Sequence, residues 1–305
     1  MFNFTKLFWH NSKPQTGKLL GANLINLVII LLLFSITLLP IQLIMNMWLM
    51  YMFTGQGNMV SIVLATLGSV LLILLVYLFV VFPLYTGSTR SYRNTLLSNK
   101  SMTLKDFFAS FKGRIWRKAV LIALFTILVL FITQLINFFL ISGISKVAEL
   151  IIQNAGISSA DQSTMMVVQT VITVITGLVT SIFTWLAVIY ITNSATSLVH
   201  DPDSKVKVHL KNAWLSMRNK NKTFLKFFIS IIVLNFIIIL LYGPIYTWIQ
   251  LGLSGISQNV ASIVTVVLNI VFFIIRYLIF FVIIGTIVQY FLNHGEKDQH
   301  LHQIK

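Results

Sequence analysis

The sequence has no cysteine in 305 residues, which excludes disulfides, thiolate metal sites and cysteine nucleophiles. Charge is scarce as well. Only 10% of residues are charged, against about 25% in an ordinary soluble domain. Asp and Glu number 7, against 22 Lys and Arg. No Asp, Glu, Lys, Arg or His interrupts the 71 residues from Leu19 to Thr89. A chain of this size in water could not cover its surface with so few polar groups. Composition therefore excludes a water-soluble enzyme, a disordered chain and a fibrous repeat. What remains is apolar: 57% of residues are hydrophobic and the mean hydropathy is +0.90. These values point to an all-α polytopic membrane protein.

A membrane-crossing helix needs about 20 residues, so the first charge-free run holds two spans and a turn. Thr54-Gly-Gln-Gly-Asn58 supplies the turn, because glycine and small polar residues favour non-helical backbone. Span one is read as Leu20–Met47 and span two as Val60–Tyr85. Ala119–Ser145 and Gln162–Val199 hold spans three and four. The runs Phe227–Ile275 and Tyr277–Asn293 hold spans five and six, joined by the turn Gly252-Leu-Ser-Gly-Ile-Ser-Gln-Asn259. The runs are continuous rather than alternating, which disfavours a strand barrel. The first run is far longer than the roughly 7–15 apolar residues of a cleaved signal peptide, so none is expected.

The basic residues sort by side. The N-terminal tail, the connectors 87–118 and 200–226, and the C-terminal tail carry 20 of the 22. The alternate connectors carry Lys146, with Glu149 and Asp161. The positive-inside rule then places both termini and the two basic connectors in the cytoplasm of a cell-membrane protein. Six spans are consistent with that topology.

A short segment with one arrangement precedes spans one, three and five. Phe4, Leu7 and Phe8 are spaced i, i+3, i+4; Leu104, Phe107, Phe108 and Phe111 extend this to i+7; Leu210, Ala213, Trp214 and Met217 repeat it. Each set lines one helix face, with basic residues between or just after. Thr103-Leu-Lys-Asp106 resembles a capping box. Three units follow from this, 1–86, 100–199 and 207–293, each an amphipathic helix and a membrane hairpin. Phe4, Phe8, Phe107, Phe108, Phe111 and Trp214 are expected to anchor in the acyl boundary of the inner leaflet. Arg90, Arg93, Lys105, Lys112, Arg114, Arg117, Lys118, Lys211, Arg218, Lys220 and Lys222 are expected to meet anionic headgroups, each adding about 1 kcal/mol. Ordinary topology determinants would carry the same charges. A nucleic-acid partner is disfavoured, because these cations lie within reach of lipid phosphate.

Arg276 lies inside span six, where a charge costs about 2.5–3.5 kcal/mol or more. No span holds a carboxylate to neutralise it. A bound anion or lipid phosphate, backbone carbonyls, water, or Glu149 or Asp161 could serve; snorkelling to the interface is the structural alternative. Asn26, Gln42, Gln134, Asn137, Gln169, Asn193, Asn235 and Gln289 read as interhelical hydrogen-bonding groups. His200, Asp201 and Asp203 flank Pro202, which is first a turn and helix-start signal and only secondarily a metal set. His294, His300 and His302 lie in a polar tail. No metal or cofactor is expected. With no His, Asp or Glu in any span, the parts of acid–base, nucleophilic or metal catalysis are missing.

Phe82-Pro-Leu-Tyr-Thr-Gly-Ser-Thr-Arg90, closing span two, and Asp106-Phe-Phe-Ala-Ser-Phe-Lys112, entering span three, resemble a group of bacterial six-helix membrane proteins with a Pro-Leu-x-x-Gly segment. The layout is similar to the membrane domain of glycerophosphodiester phosphodiesterases. The resemblance implies six helices and an envelope role, with no catalytic residue to carry over. The expected function is a non-enzymatic envelope protein that binds anionic lipid and organises membrane partners. The competing expectation is a permease subunit whose short cytoplasmic helices engage a separate ATPase.

Overall fold

A computed structural model describes residues 2–55, 58–97, 103, 105–154, 162–218, 223–253 and 255–293. Every regular element among them is helical. Short helices are α1 (Asn3–Ser12), α5 (Lys105–Phe108, continued as a 3₁₀ turn Ala109–Phe111) and α8 (Val206–Met217). The long ones are α2 (Thr16–Thr54), α3 and α4 (Met59–Val76, Phe82–Leu97), α6 (Gly113–Asn154), α7 (Gln162–His200), α9 and α10 (Thr223–Leu240, Tyr246–Leu253) and α11 (Gln258–Leu292). Pi-helical turns Tyr77–Val81 and Leu241–Ile245 make α3–α4 and α9–α10 continuous. Among the described residues six helical stretches are thus long and apolar enough to cross a membrane, and within the most apolar part of each only 6–28% of residues are buried. Apolar side chains that face outward along most of each helix fit a multi-pass membrane protein.

Local chemistry sets the breaks. Gly55 ends α2 in the left-handed region (φ 64°), its N–H donating to the Tyr51 carbonyl, a conformation open to glycine at no steric cost. The Asn58 side chain then accepts from the Val60 N–H to start α3. Proline removes an N–H and clashes with the preceding turn. Pro83 follows one π-turn and Pro244 lies in the other, where the wider ring relieves that clash. Pro83 leaves the Phe79 carbonyl without its α-helical donor, and the Trp116 indole N–H donates there at 3.3 Å.

The chain packs as two units: Met1–His10, Thr126–Asn193 and Asn212–Lys305; and Asn11–Phe125 with Ser194–Lys211. The core of the first comprises Phe4, Trp185, Ile189, Phe227, Ile231, Ile283, Ile287 and Tyr290. Tyr290 stacks on Phe227 at 4.0 Å and Phe4 meets Tyr290 edge-on at 5.0 Å. In the second, α2 packs on α4 through the buried pair Asn23 and Ser88, whose hydroxyl donates to the Asn23 amide oxygen. Burial is concentrated at one end of the even-numbered spans. Thr86–Thr89, Ile191–Val199 and Gly285–Phe291 are buried without a break. These are the ends nearest the short helices and are called here the basic ends.

Candidate functional site

Each short segment seats a side chain against a basic end. In the first unit Phe8 is fully buried, and a Cβ built on Gly285 of α11 would overlap its ring. The Thr286 hydroxyl donates to the Thr5 hydroxyl at 3.3 Å. In the second unit Phe107 of α5 lies against Gly87 of α4, where any Cβ would collide with the Phe107 backbone. Glycine is therefore required at the close of the Pro-Leu-x-x-Gly segment, and the segments Phe82–Arg90 and Asp106–Lys112 pack directly on each other. Asp106 ties them further. It accepts from the Thr103 N–H (3.0 Å), completing one arm of the expected capping box, and from Asn94 (3.4 Å), and it pairs with Arg90 at 3.8 Å.

The third segment, α8, is pinned by polar contacts. His209 is fully buried; its Nδ1 lies 3.1 Å from the Ser197 hydroxyl and its Nε2 3.1 Å from the Ser204 carbonyl. Burial holds its pKa below the ordinary imidazole value, with the Lys118 charge acting the same way; the Ser204 carbonyl and Asp201 act against it. The Lys118 ammonium donates to the carbonyls of Pro202 and Ser204. A hydrogen bond from the Ser204 hydroxyl holds the Asp201 carboxyl below its usual range. Elsewhere on α8, Ser216 accepts from the Asn193 amide (2.8 Å) and its carbonyl from the Tyr290 hydroxyl (2.9 Å).

The expected acyl-boundary anchors separate into two groups. Phe4, Phe8 and Phe107 are buried in protein, at 4%, 0% and 3% exposure, so their rings do not face lipid. The sequence spacing that identified a face could not say what covers it. Phe108 and Trp214 are exposed and Phe111 is half-buried. Among the expected headgroup contacts, Lys105, Lys112, Arg114, Arg117, Lys211 and Arg218 are exposed. Three others engage protein: Arg90 with Asp106, Arg93 with the His200 ring (3.4 Å) and Asn94 (3.3 Å), and Lys118 as above. Leu104, Lys220, Lys222, Asp161, His294, His300 and His302 lie outside the described residues.

Arg276 is exposed, with its guanidinium carbon 5.3 Å from the ring centroids of both Tyr242 and Phe280. Among the described residues no carboxylate pairs with it; Glu149 instead accepts from Gln153. Arg276 is five residues, about 8 Å at 1.5 Å per residue, from Phe281, which contacts Phe8. Within α11 (Gln258–Leu292) Arg276 lies at the middle of the helix. Of the polar groups in spans, Asn137 donates to Thr184 on the neighbouring helix and Asn193 to Ser216, whereas Gln289 bonds Asn293 one turn on. Gln169 lines a 360 Å³ cleft with Thr170, Thr173, Gly243 and Thr247.

His209, Gly285 and Trp9 were not legible as site residues, and Gly87 only as the glycine of the Pro-Leu-x-x-Gly segment. A histidine between two lysine-rich stretches reads as one more polar residue of a connector, and a helical glycine gives no local sign of what presses on it. Comparison with protein-family models, curated proteins and solved structures gives no match.

Proposed function

We propose that the chain is a non-enzymatic protein of the cell membrane, both termini cytoplasmic, that sets its basic ends against anionic headgroups of the inner leaflet and organises membrane partners there. The observation that carries this reading is the row of exposed cations on the short helices and their connectors, beside helices whose remaining surface is apolar. Each such cation contributes about 1 kcal/mol near an anionic surface, reduced by salt. Arg276 is exposed and pairs with no carboxylate among the described residues, which fits contact with a lipid phosphate or other anion. Among the described residues Ser197 and His209 form a hydroxyl–imidazole contact at 3.1 Å, and both are buried, which supports a structural role.

A second reading has its own support. The α5 segment is short, lies between two spans and is held rigidly by Gly87 and Asp106, as a coupling helix that transmits force from an ATPase would need to be. One purification decides between them. Extraction in mild detergent is expected to retain anionic over zwitterionic lipid, without an ATPase. Equimolar recovery of an ATPase would favour the permease reading, and retention of both lipid classes in membrane proportions would contradict headgroup recognition.

A further inference from the structure

The faces that the short segments turn away from the protein repeat. In each, a buried residue is followed directly by an exposed aromatic: Phe8 then Trp9, Phe107 then Phe108, Ala213 then Trp214. The buried members are 0–3% exposed, the aromatics 46%, 52% and 57%. Each aromatic has an exposed lysine three residues before it (Lys6, Lys105, Lys211) and an exposed cation four residues after it (Lys13, Lys112, Arg218). Within a helix residues three apart share one side, which sets each leading lysine beside its aromatic. The trailing cation is in every case the first residue past the helical segment. A cation there complements the helix dipole, which accounts for that residue but not for the leading lysine or the exposed ring. The aromatics are 99 and 106 residues apart. This register aligns Phe8 with Phe107, one residue away from the alignment that apolar spacing alone gives.

We infer that these three faces are equivalent interfacial anchors, each placing its aromatic ring in the acyl boundary of the inner leaflet and its two cations on the phosphates of anionic lipid. This rests on the proposed orientation and specifies which residues carry it. Lipid is favoured over a soluble acidic protein because the anchors are tethered at the membrane: α2 begins three residues after Lys13 and α6 one residue after Lys112. The indoles of Trp9 and Trp214, large rings with a polar edge, are at home in that layer, and the Phe108 ring suits its apolar side.

The absence of cysteine makes the test direct. Trp9→Cys, Phe108→Cys and Trp214→Cys, one per full-length chain, carry a nitroxide in vesicles of phosphatidylcholine alone or mixed equally with phosphatidylglycerol. Collision with oxygen, which concentrates in the bilayer, is compared with collision with an aqueous nickel chelate, using Asp203→Cys on the exposed connector as the water reference. All three labels are expected to favour oxygen, most strongly in the mixture. Lys6→Gln with Lys13→Gln is expected to weaken retention of phosphatidylglycerol by about fivefold for each cation removed. Nickel accessibility equal to that at position 203 would overturn the anchors; if the native chain still retained phosphatidylglycerol, the proposed function would stand without them. Equal shielding in both vesicle types, with retention unchanged by the Gln variants, would overturn the phosphate contacts. Loss of any anionic preference in the native chain would remove the proposed function itself.

Discussion

The imidazole of His209 is held by a hydroxyl on one side and a carbonyl on the other, with Lys118 and Asp201 the charged groups acting on it. Burial is the larger influence and favours the neutral ring. An imidazole whose native pKa is depressed takes up its proton more readily in the unfolded chain. Its contribution to stability is therefore complete above the ordinary value of 6.5 and is lost as pH falls below that towards the lowered native value. Thermal unfolding in detergent is expected to show a lower midpoint at about pH 5 than at about pH 7.5, with the difference reduced in His209→Gln. An unchanged difference in that variant would show that other groups set the acid sensitivity. Gln289 and Asn193 are likewise fully buried. The hydrogen bond of Asn193 to another helix was foreseeable in kind from a polar residue in an apolar run, but not in partner, because Ser216 lies outside those runs, whereas Gln289 bonds Asn293 one turn on along its own helix.

Between elements, the docking of α5 on α4 depends on backbone approach. Gly87→Ala places a methyl group against the Phe107 backbone, which cannot rotate away as a side chain could. The expected cost is about 1–3 kcal/mol, typical of overpacking, read as a lower unfolding midpoint. Gly68→Ala, where the added Cβ meets nothing within 4 Å, is expected to be neutral or slightly stabilising; equal effects of the two would refute the contact. The helices themselves were plain in the sequence. The 71-residue uncharged run divides at Gly55 as its turn residues predict, and the turn before Gln258 is where glycine and serine place it. The pairing of short segments with helices was not plain. The periodicity of Phe4, Leu7 and Phe8 fixes a face, yet the neighbour on that face is α11, more than 270 residues along the chain, and periodicity holds no information on such a distance. The one-residue offset between Phe8 and Phe107 has the same origin: apolar bias allows two registers, and only burial against glycine separates them.

Across the molecule, helices of 31–42 residues are about 46–63 Å long at 1.5 Å per residue, longer than a hydrocarbon core of about 30 Å. The surplus at the basic ends is wrapped by protein, as the unbroken buried stretches Ile191–Val199 and Gly285–Phe291 show. Charge is sorted along the chain in the same sense, with the cations at the wrapped ends. The lipid and partner readings both follow from which side of the membrane those ends occupy. Single cysteines in this cysteine-free chain, Lys112→Cys and Lys207→Cys at the basic ends and Asn58→Cys and Ser257→Cys at the opposite ends, can be probed with a membrane-impermeant maleimide. The account predicts labelling at positions 58 and 257 in intact cells, and at 112 and 207 only after the membrane is opened; labelling at 112 or 207 from outside intact cells would contradict it.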